Sequence, residues 1–341
     1  MLLLHSPSAA VAAVLIAVLT WALCGITFKA SRCRFEIYAW DFFTGAALIA
    51  VLAFFTVGTQ GQGVTAPENL AIVEMDLLGP PLLAGAVTAL GLYFAMALAS
   101  IAGVAPALLA TGGIACSVHL LESLWTAPRV DSNAAHAAAL LALAAAGLAF
   151  VAIASPRAEG VQPSGRRTAL SVTFGIAGGL FLGLPFRVMG VAHSDEIGLQ
   201  AYPLALLITL GAFGSAIIYG LFFINLPVRH EPIAVARFFR APGQHAAGLA
   251  GGALWGLGLV LLLLTLDAPP DHGLSAHGAA IAAYGSAVLG AGFGLLYRAE
   301  RQTRLRVALL CASIGAFVAA LGLRGGALGL LGGMLGIMPD G

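Results

Sequence analysis

Of the chain's 341 residues, 60% are hydrophobic and only 9% are charged, and the mean hydropathy is +0.97, whereas soluble domains carry about 25% charged residues. So little polar surface cannot cover a fold in water, and the chain is read as an all-α, polytopic membrane protein. A formal charge of +1 excludes the dense basic face that a nucleic-acid partner would need.

Cys24, Cys33, Cys116 and Cys311 share no metal-ligand spacing, so neither a metal nor another cofactor is expected. There is no P-loop, no G-x-S-x-G elbow, no H-E-x-x-H and no aspartate-rich prenyl-diphosphate motif, so no enzymatic activity is expected. A lipid-modifying enzyme would gather acids or histidines at one interface, and here they are scattered.

A hydrocarbon core about 30 Å thick takes about 17 to 25 apolar residues per helix. Such windows fall near 9–29, 39–59, 78–101, 104–125, 134–154, 169–192, 201–224, 246–266, 274–297 and 305–323. The first lacks a basic n-region and exceeds a signal's apolar stretch, so it reads as an uncleaved helix. In it, Thr20, Cys24 and Thr27 recur on one face beside Trp21. That face would either meet a solute's hydroxyl or amide groups or bond to its own helix backbone and permit close packing. The third span contains "LLAGAVTALGLYF", which ends in Tyr93 and Phe94, and Tyr93 is a further binding candidate. Only "IAGVAP" separates the third span from the fourth, with Pro106 favouring a break.

The fourth span aligns Thr111, Ala115, His119 and Glu122 on one stripe. A buried His and Glu one turn apart would pass a proton, but Glu122 lies near the end of the span, which makes His119 the better candidate. In the sixth span, Pro185 frees the Phe181 carbonyl and Arg187 follows two residues later. The guanidinium would either snorkel to the outer interface or grip a carboxylate or paired carbonyls of a solute. The eighth span places Gly248, Gly251, Trp255 and Gly258 on one face, for stacking on a flat ligand or for a close helix contact. Tyr284 and Ser286 in the ninth bring hydroxyls to mid-membrane. Residues 324–341, apolar and glycine-rich, read as an interfacial tail.

The basic residues are strongly one-sided. Lys29, Arg32 and Arg34 follow the first span, Arg157, Arg166 and Arg167 the fifth, Arg229, Arg237 and Arg240 the seventh, and Arg298, Arg301, Arg304 and Arg306 the ninth. Only Arg129, Arg187 and Arg324 fall elsewhere, so the positive-inside rule places the odd-to-even connections in the cytoplasm and both termini outside. The connection at 155–168 divides two blocks of five spans. "LLAGAVTALGLYF" from residue 82 echoes "GLAGGALWGLGLV" from residue 248. Two blocks with an odd number of crossings run in opposite senses, which makes an inverted repeat of 1–160 and 161–323.

This arrangement resembles the drug/metabolite transporter superfamily, with its EamA-like repeats, and is most similar to ureide permeases and related bacterial sugar transporters. The likeness rests on "LTWALCGITFKASRCR", "YAWDFFTGAALIAVLAFFTVG", "IAGGLFLGLPFRVMGVAHSD", "AGLAGGALWGLGLVLL" and "AIAAYGSAVLGAGFGLLYRAERQTR". The chain departs from plant ureide permeases in its short central connection, which lacks a Walker-like stretch, and in Arg187, where the pattern suggests an uncharged residue. The resemblance implies a secondary transporter of the inner membrane, moving a small polar solute of ureide, nucleobase or sugar class by alternating access. Its central cavity would be lined by the first, third, fourth, sixth, eighth and ninth spans. Proton coupling and a homodimer stay open. The rival reading is a membrane scaffold or complex subunit whose glycines serve packing alone.

A reporter active only in the cytoplasm should give signal when fused after residue 160 and none when fused after residue 341. The reverse pattern would overturn the orientation.

Overall fold

The computed structural model describes residues 4, 6–31, 33–60, 63–126, 132–156, 164–186, 192, 198–225, 228, 242–267, 276–296 and 303–323. Among these residues the fold is all-helical. The elements are α1 (Pro7–Ser31), α2 (Phe35–Phe55), α3 (Ala66–Ile72), α4 (Gly79–Ala102), α5 (Val104–Thr126) and α6 (Ser132–Ala154). They continue with α7 (Gly165–Gly183), α8 (Ala201–Asn225), α9 (Pro242–Leu264), α10 (Ala276–Leu296) and α11 (Arg304–Leu323). Among the described residues nine of these helices are long and apolar enough to cross a membrane. The tenth long helix, α7, begins with Arg166 and Arg167 and packs inside the same bundle. The protein is a polytopic, all-α membrane protein, and its outward surface carries large apolar side chains such as Leu52, Phe55, Leu140 and Ile218, more than half exposed. In water such a surface would be an aggregation liability, and in lipid it is solvated.

The helix breaks have local causes. Between α4 and α5 the chain turns at Gly103, whose φ of 101° lies in the left-handed region that side chains disfavour. Pro106 then sits in the first turn of α5, where its missing N–H costs nothing. Sequence reading missed the short α3, which its Thr65–Glu68 capping box starts. Hydrogen bonds from Thr65 hold the Glu68 carboxyl below its usual range. The second span begins at Phe35 rather than 39, and in the sixth the helix breaks after Gly183, at Leu184, before Pro185 and Phe186 turn helical again; residues 187–191 of that span lie outside the described residues. The tail at 324–341 lies outside the described residues.

Connections gather at two faces. At one, Asn69 of α3 bonds to the backbone of Gly198 and Gln200, and the Asp267 carboxylate accepts from the Ala201 N–H at 2.8 Å, meeting an orphan donor at the start of α8. At the other, Thr303 reaches the Pro156 carbonyl, and the buried Arg306 donates to the Ala102 carbonyl at 2.7 Å. Every described Lys and Arg, namely Lys29, Arg34, Arg166, Arg167, Arg304 and Arg306, lies at helix ends on this second, basic face.

The packing repeats itself. α2 lies on α9 as α8 lies on α4, α1 on α9 as α7 on α4, and α5 on α7 as α10 on α1. The pairs α2–α8, α5–α10 and α6–α11 meet across the centre. Exchanging each helix of the first five with its counterpart in the second therefore maps these contacts onto themselves, as an inverted repeat requires. The match extends to single atoms. A Cβ on Gly85 would strike the Ile208 carbonyl and one on Gly211 that of Leu82. A Cβ on Gly252 would strike the Phe42 carbonyl and one on Gly45 that of Leu249. The offset that carries Gly85 onto Gly252 also carries Thr88 onto Trp255, Gly91 onto Gly258 and Leu92 onto Leu259.

These two crossings place backbone on backbone, so a side chain there would part the helices, at about 1–3 kcal/mol or more. Gly85→Val and Gly252→Val should each lower the melting temperature in detergent and the folded yield. Gly147→Ala, on an exposed helix face with nothing within 4 Å, should leave the protein as stable or raise its stability by about 0.5–1 kcal/mol.

Candidate functional site

Where the two repeats meet, the helices leave a cavity of about 190 Å³. Its wall comes from α1, α4, α5, α9 and α10, from the end of α7 and the Pro185 and Phe186 that follow it, and from Tyr38 and Phe42 of α2. Symmetry-related positions face each other across it, Thr88 with Trp255 and Leu92 with Leu259. Toward the basic face its lining includes Phe28, Ala99 and Val104, at the ends of α1, α4 and α5. Toward the opposite face its lining includes Phe186 and Tyr284, whose rings lie 5.5 Å apart. His119 stands behind them, 6.0 Å from Phe186 and 5.9 Å from Tyr284. Ala17, Leu262, Ala279 and Ala283 pack the rest of that side.

Six of the sequence candidates come together on this wall: Trp21, Cys24, Thr111, Trp255, Tyr284 and Ser286. The glycine face of α9 serves packing and aromatic placement together. Gly251 leaves room for the Tyr38 and Thr27 hydroxyls, and Gly258 for the Trp21 indole. Trp21 Nε1 donates to the Trp255 carbonyl at 2.8 Å, and the two indoles stack at 6.2 Å with 16° between planes. At the equivalent place in the other half stand Leu182 and Thr88, so one side of the cavity is far more aromatic than its mate.

Four candidates stand elsewhere. Thr27 is off the wall, bonded to the Tyr38 hydroxyl at 2.7 Å. His119 sits one layer beyond it. Tyr93 is a packing residue, fully buried between Phe43 and Phe223, with its hydroxyl donating to the Ala216 carbonyl at 3.0 Å. Arg187 lies outside the described residues, although Pro185 before it is on the wall.

The polar groups on the wall divide sharply. Thr88 donates to Ala84, Thr111 to Ala107 and Ser286 to Ala283, each carbonyl in its own helix, so each hydroxyl keeps only acceptor capacity toward a solute. The Cys24 thiol donates to the Thr20 and Gly251 carbonyls. The Tyr284 hydroxyl, in a residue 5% exposed, has no hydrogen-bond partner among the described residues. No charged side chain lines the cavity among the described residues.

Sequence reading missed Tyr38, Phe42 and Phe186, which look like any apolar residue of a buried span. It also missed Asp41, 6% exposed in α2, whose carboxylate accepts from His245 Nδ1 of α9 at 2.8 and 2.9 Å. Two acids in α2, Glu36 and Asp41, were the available signal, because an ionisable residue inside a span needs a partner.

No family model matches the chain, and no curated protein does. Among solved structures, a crystal structure of a protein whose name states no function matches with a TM-score of 0.54 at 14% identity, over 92% of this chain and 97% of that one. At that identity the likeness is one of fold.

The two tyrosines should separate in solute-free melting experiments. Tyr93→Phe loses a buried bond, for about 1 kcal/mol, and should melt lower. Tyr284→Phe loses none and should melt no lower than the parent. A large drop for Tyr284→Phe would show that its hydroxyl has a structural partner.

Proposed function

We propose that the chain is a secondary transporter that moves a small, flat, uncharged solute by alternating access. One observation carries this reading: a cavity lined by helices of both repeats, reaching from Phe28, Ala99 and Val104 near the basic face to Phe186 and Tyr284 near the other. The repeated packing supports membership of the drug/metabolite transporter superfamily. The basic asymmetry supports an inner membrane with the basic face in the cytoplasm.

The wall narrows the solute. At about 190 Å³ it is smaller than the roughly 300–1,000 Å³ of sites for drug-sized ligands. Three hydroxyls that only accept favour a solute with N–H donors. The Tyr284 hydroxyl, without a partner among the described residues, would supply a donor to a carbonyl, and the aromatic rings suit a flat body. A nucleobase- or ureide-like amide fits this pattern. A sugar, with many hydroxyls to satisfy and one donor without a partner among the described wall residues, fits poorly.

Liposomes containing only the purified protein should exchange labelled uracil or allantoin across the membrane and leave glucose unmoved. Ala287→Trp, which fills the cavity from α10, should abolish exchange, and Tyr284→Phe should raise the half-saturation concentration about tenfold. Absence of flux across a wide panel of small solutes would favour the scaffold reading. Preferred exchange of glucose would overturn the solute chemistry.

A further inference from the structure

The repeat exposes one place where its two halves disagree in charge. The correspondence that matches the crossing of α2 on α9 with that of α8 on α4 carries Asp41 onto Leu207 and His245 onto Leu78. Leu207 is buried, and Leu78 packs against the same core. At one end of the molecule this junction is apolar, and at the other it holds a carboxylate against an imidazole. Packing therefore does not require the pair, since the same backbone geometry is held by leucines elsewhere. A carboxylate 6% exposed in a membrane helix is costly, and its presence there points to a use.

We infer that Asp41 and His245 form the proton-binding site that couples solute movement to a proton gradient, an inference that rests on the carrier reading above. With the imidazole neutral the pair carries one negative charge. Uptake of one proton, held between His245 and Asp41, makes it neutral overall, the form that an apolar, dehydrated interface between the repeats tolerates. The site adjoins the cavity, because Tyr38 and Phe42, which flank Asp41 in α2, both line the wall. His245 is about a quarter exposed at the basic face, so protons reach the pair from that side.

Other titratable groups surround the pair. α1 contributes Lys29 in its last turn, and the α1–α2 turn contributes Cys33. Burial first, and then the nearby Asp41 carboxylate, raise the Cys33 thiol above its usual range. In α2 itself Glu36 is held by Arg34 at 3.0 Å. From α4 and α8 the approach on that side is made by tyrosines, Tyr93 and Tyr219, whose rings meet at 6.1 Å. The pair between Asp41 of α2 and His245 of α9 spans the two repeats.

Asp41→Asn removes the carboxylate charge and keeps an acceptor for the imidazole N–H. In liposomes with an imposed pH gradient, the parent should accumulate labelled uracil or allantoin at least tenfold above equilibrium. Asp41→Asn should still exchange solute, without accumulation and without dependence on pH. The parent's melting temperature should vary with pH, and Asp41→Asn and His245→Gln should flatten that variation. If Asp41→Asn accumulates solute like the parent, the coupling site is elsewhere. Loss of exchange and accumulation together, with a lower melting temperature at every pH, would make the pair a structural clasp and overturn the proposal. A parent that neither exchanges nor accumulates any solute would defeat the carrier reading instead, and the melting profiles would still decide whether the pair takes up a proton.

Discussion

The architecture depends on backbone meeting backbone at two equivalent crossings, α2 on α9 and α4 on α8, where Gly45, Gly85, Gly211 and Gly252 leave no room for a Cβ. In lipid, apolar side chains gain little by leaving one hydrocarbon for another, so association rests on contact density, and glycine maximises it by letting helices approach. Each crossing joins a helix of the first repeat to one of the second. The two halves are therefore clamped at two places related by the pseudo-twofold, and the space between the clamps is left to the side chains.

That space is the cavity. Its shape follows from the axis, but its chemistry follows from departures from symmetry. Trp21 and Trp255 stand where the other half offers Leu182 and Thr88, so a stacked indole pair lies on one side alone. Phe186 and Tyr284 line it near one face, and Phe28, Ala99 and Val104 near the other.

Polar groups obey a stricter rule here than in water, since an unsatisfied donor has no solvent to fall back on. Thr88, Thr111 and Ser286 answer it by bonding to carbonyls of their own helices, and Tyr93 by reaching Ala216 across to α8. Against that background the Tyr284 hydroxyl and the Asp41 carboxylate stand apart, the first by lacking a described partner and the second by needing one from the other repeat. Both sit at or beside the cavity rather than in the lipid-facing shell.

The amino-acid sequence by itself determined the class, the succession of spans and the one-sided charge, because length, hydropathy and Lys/Arg placement are local and the bilayer imposes a fixed thickness. A break between the third and fourth spans was legible in "IAGVAP", which the turn at Gly103 falls within, although the proline there sits inside α5. Half-burial of the spans was not legible. Every face of a membrane helix is apolar, so no periodicity marked Tyr38, Phe42 or Phe186 as wall residues, or Tyr93 as packing. The stripe of Thr20, Cys24 and Thr27 found the right face of α1, yet only the approach of α2 and α9 decided that Cys24 meets the cavity while Thr27 is held by Tyr38. Only the tertiary structure could bring Asp41 to His245, because their pairing depends on how closely α2 and α9 cross, a distance fixed by glycines on both helices rather than by either residue's own surroundings.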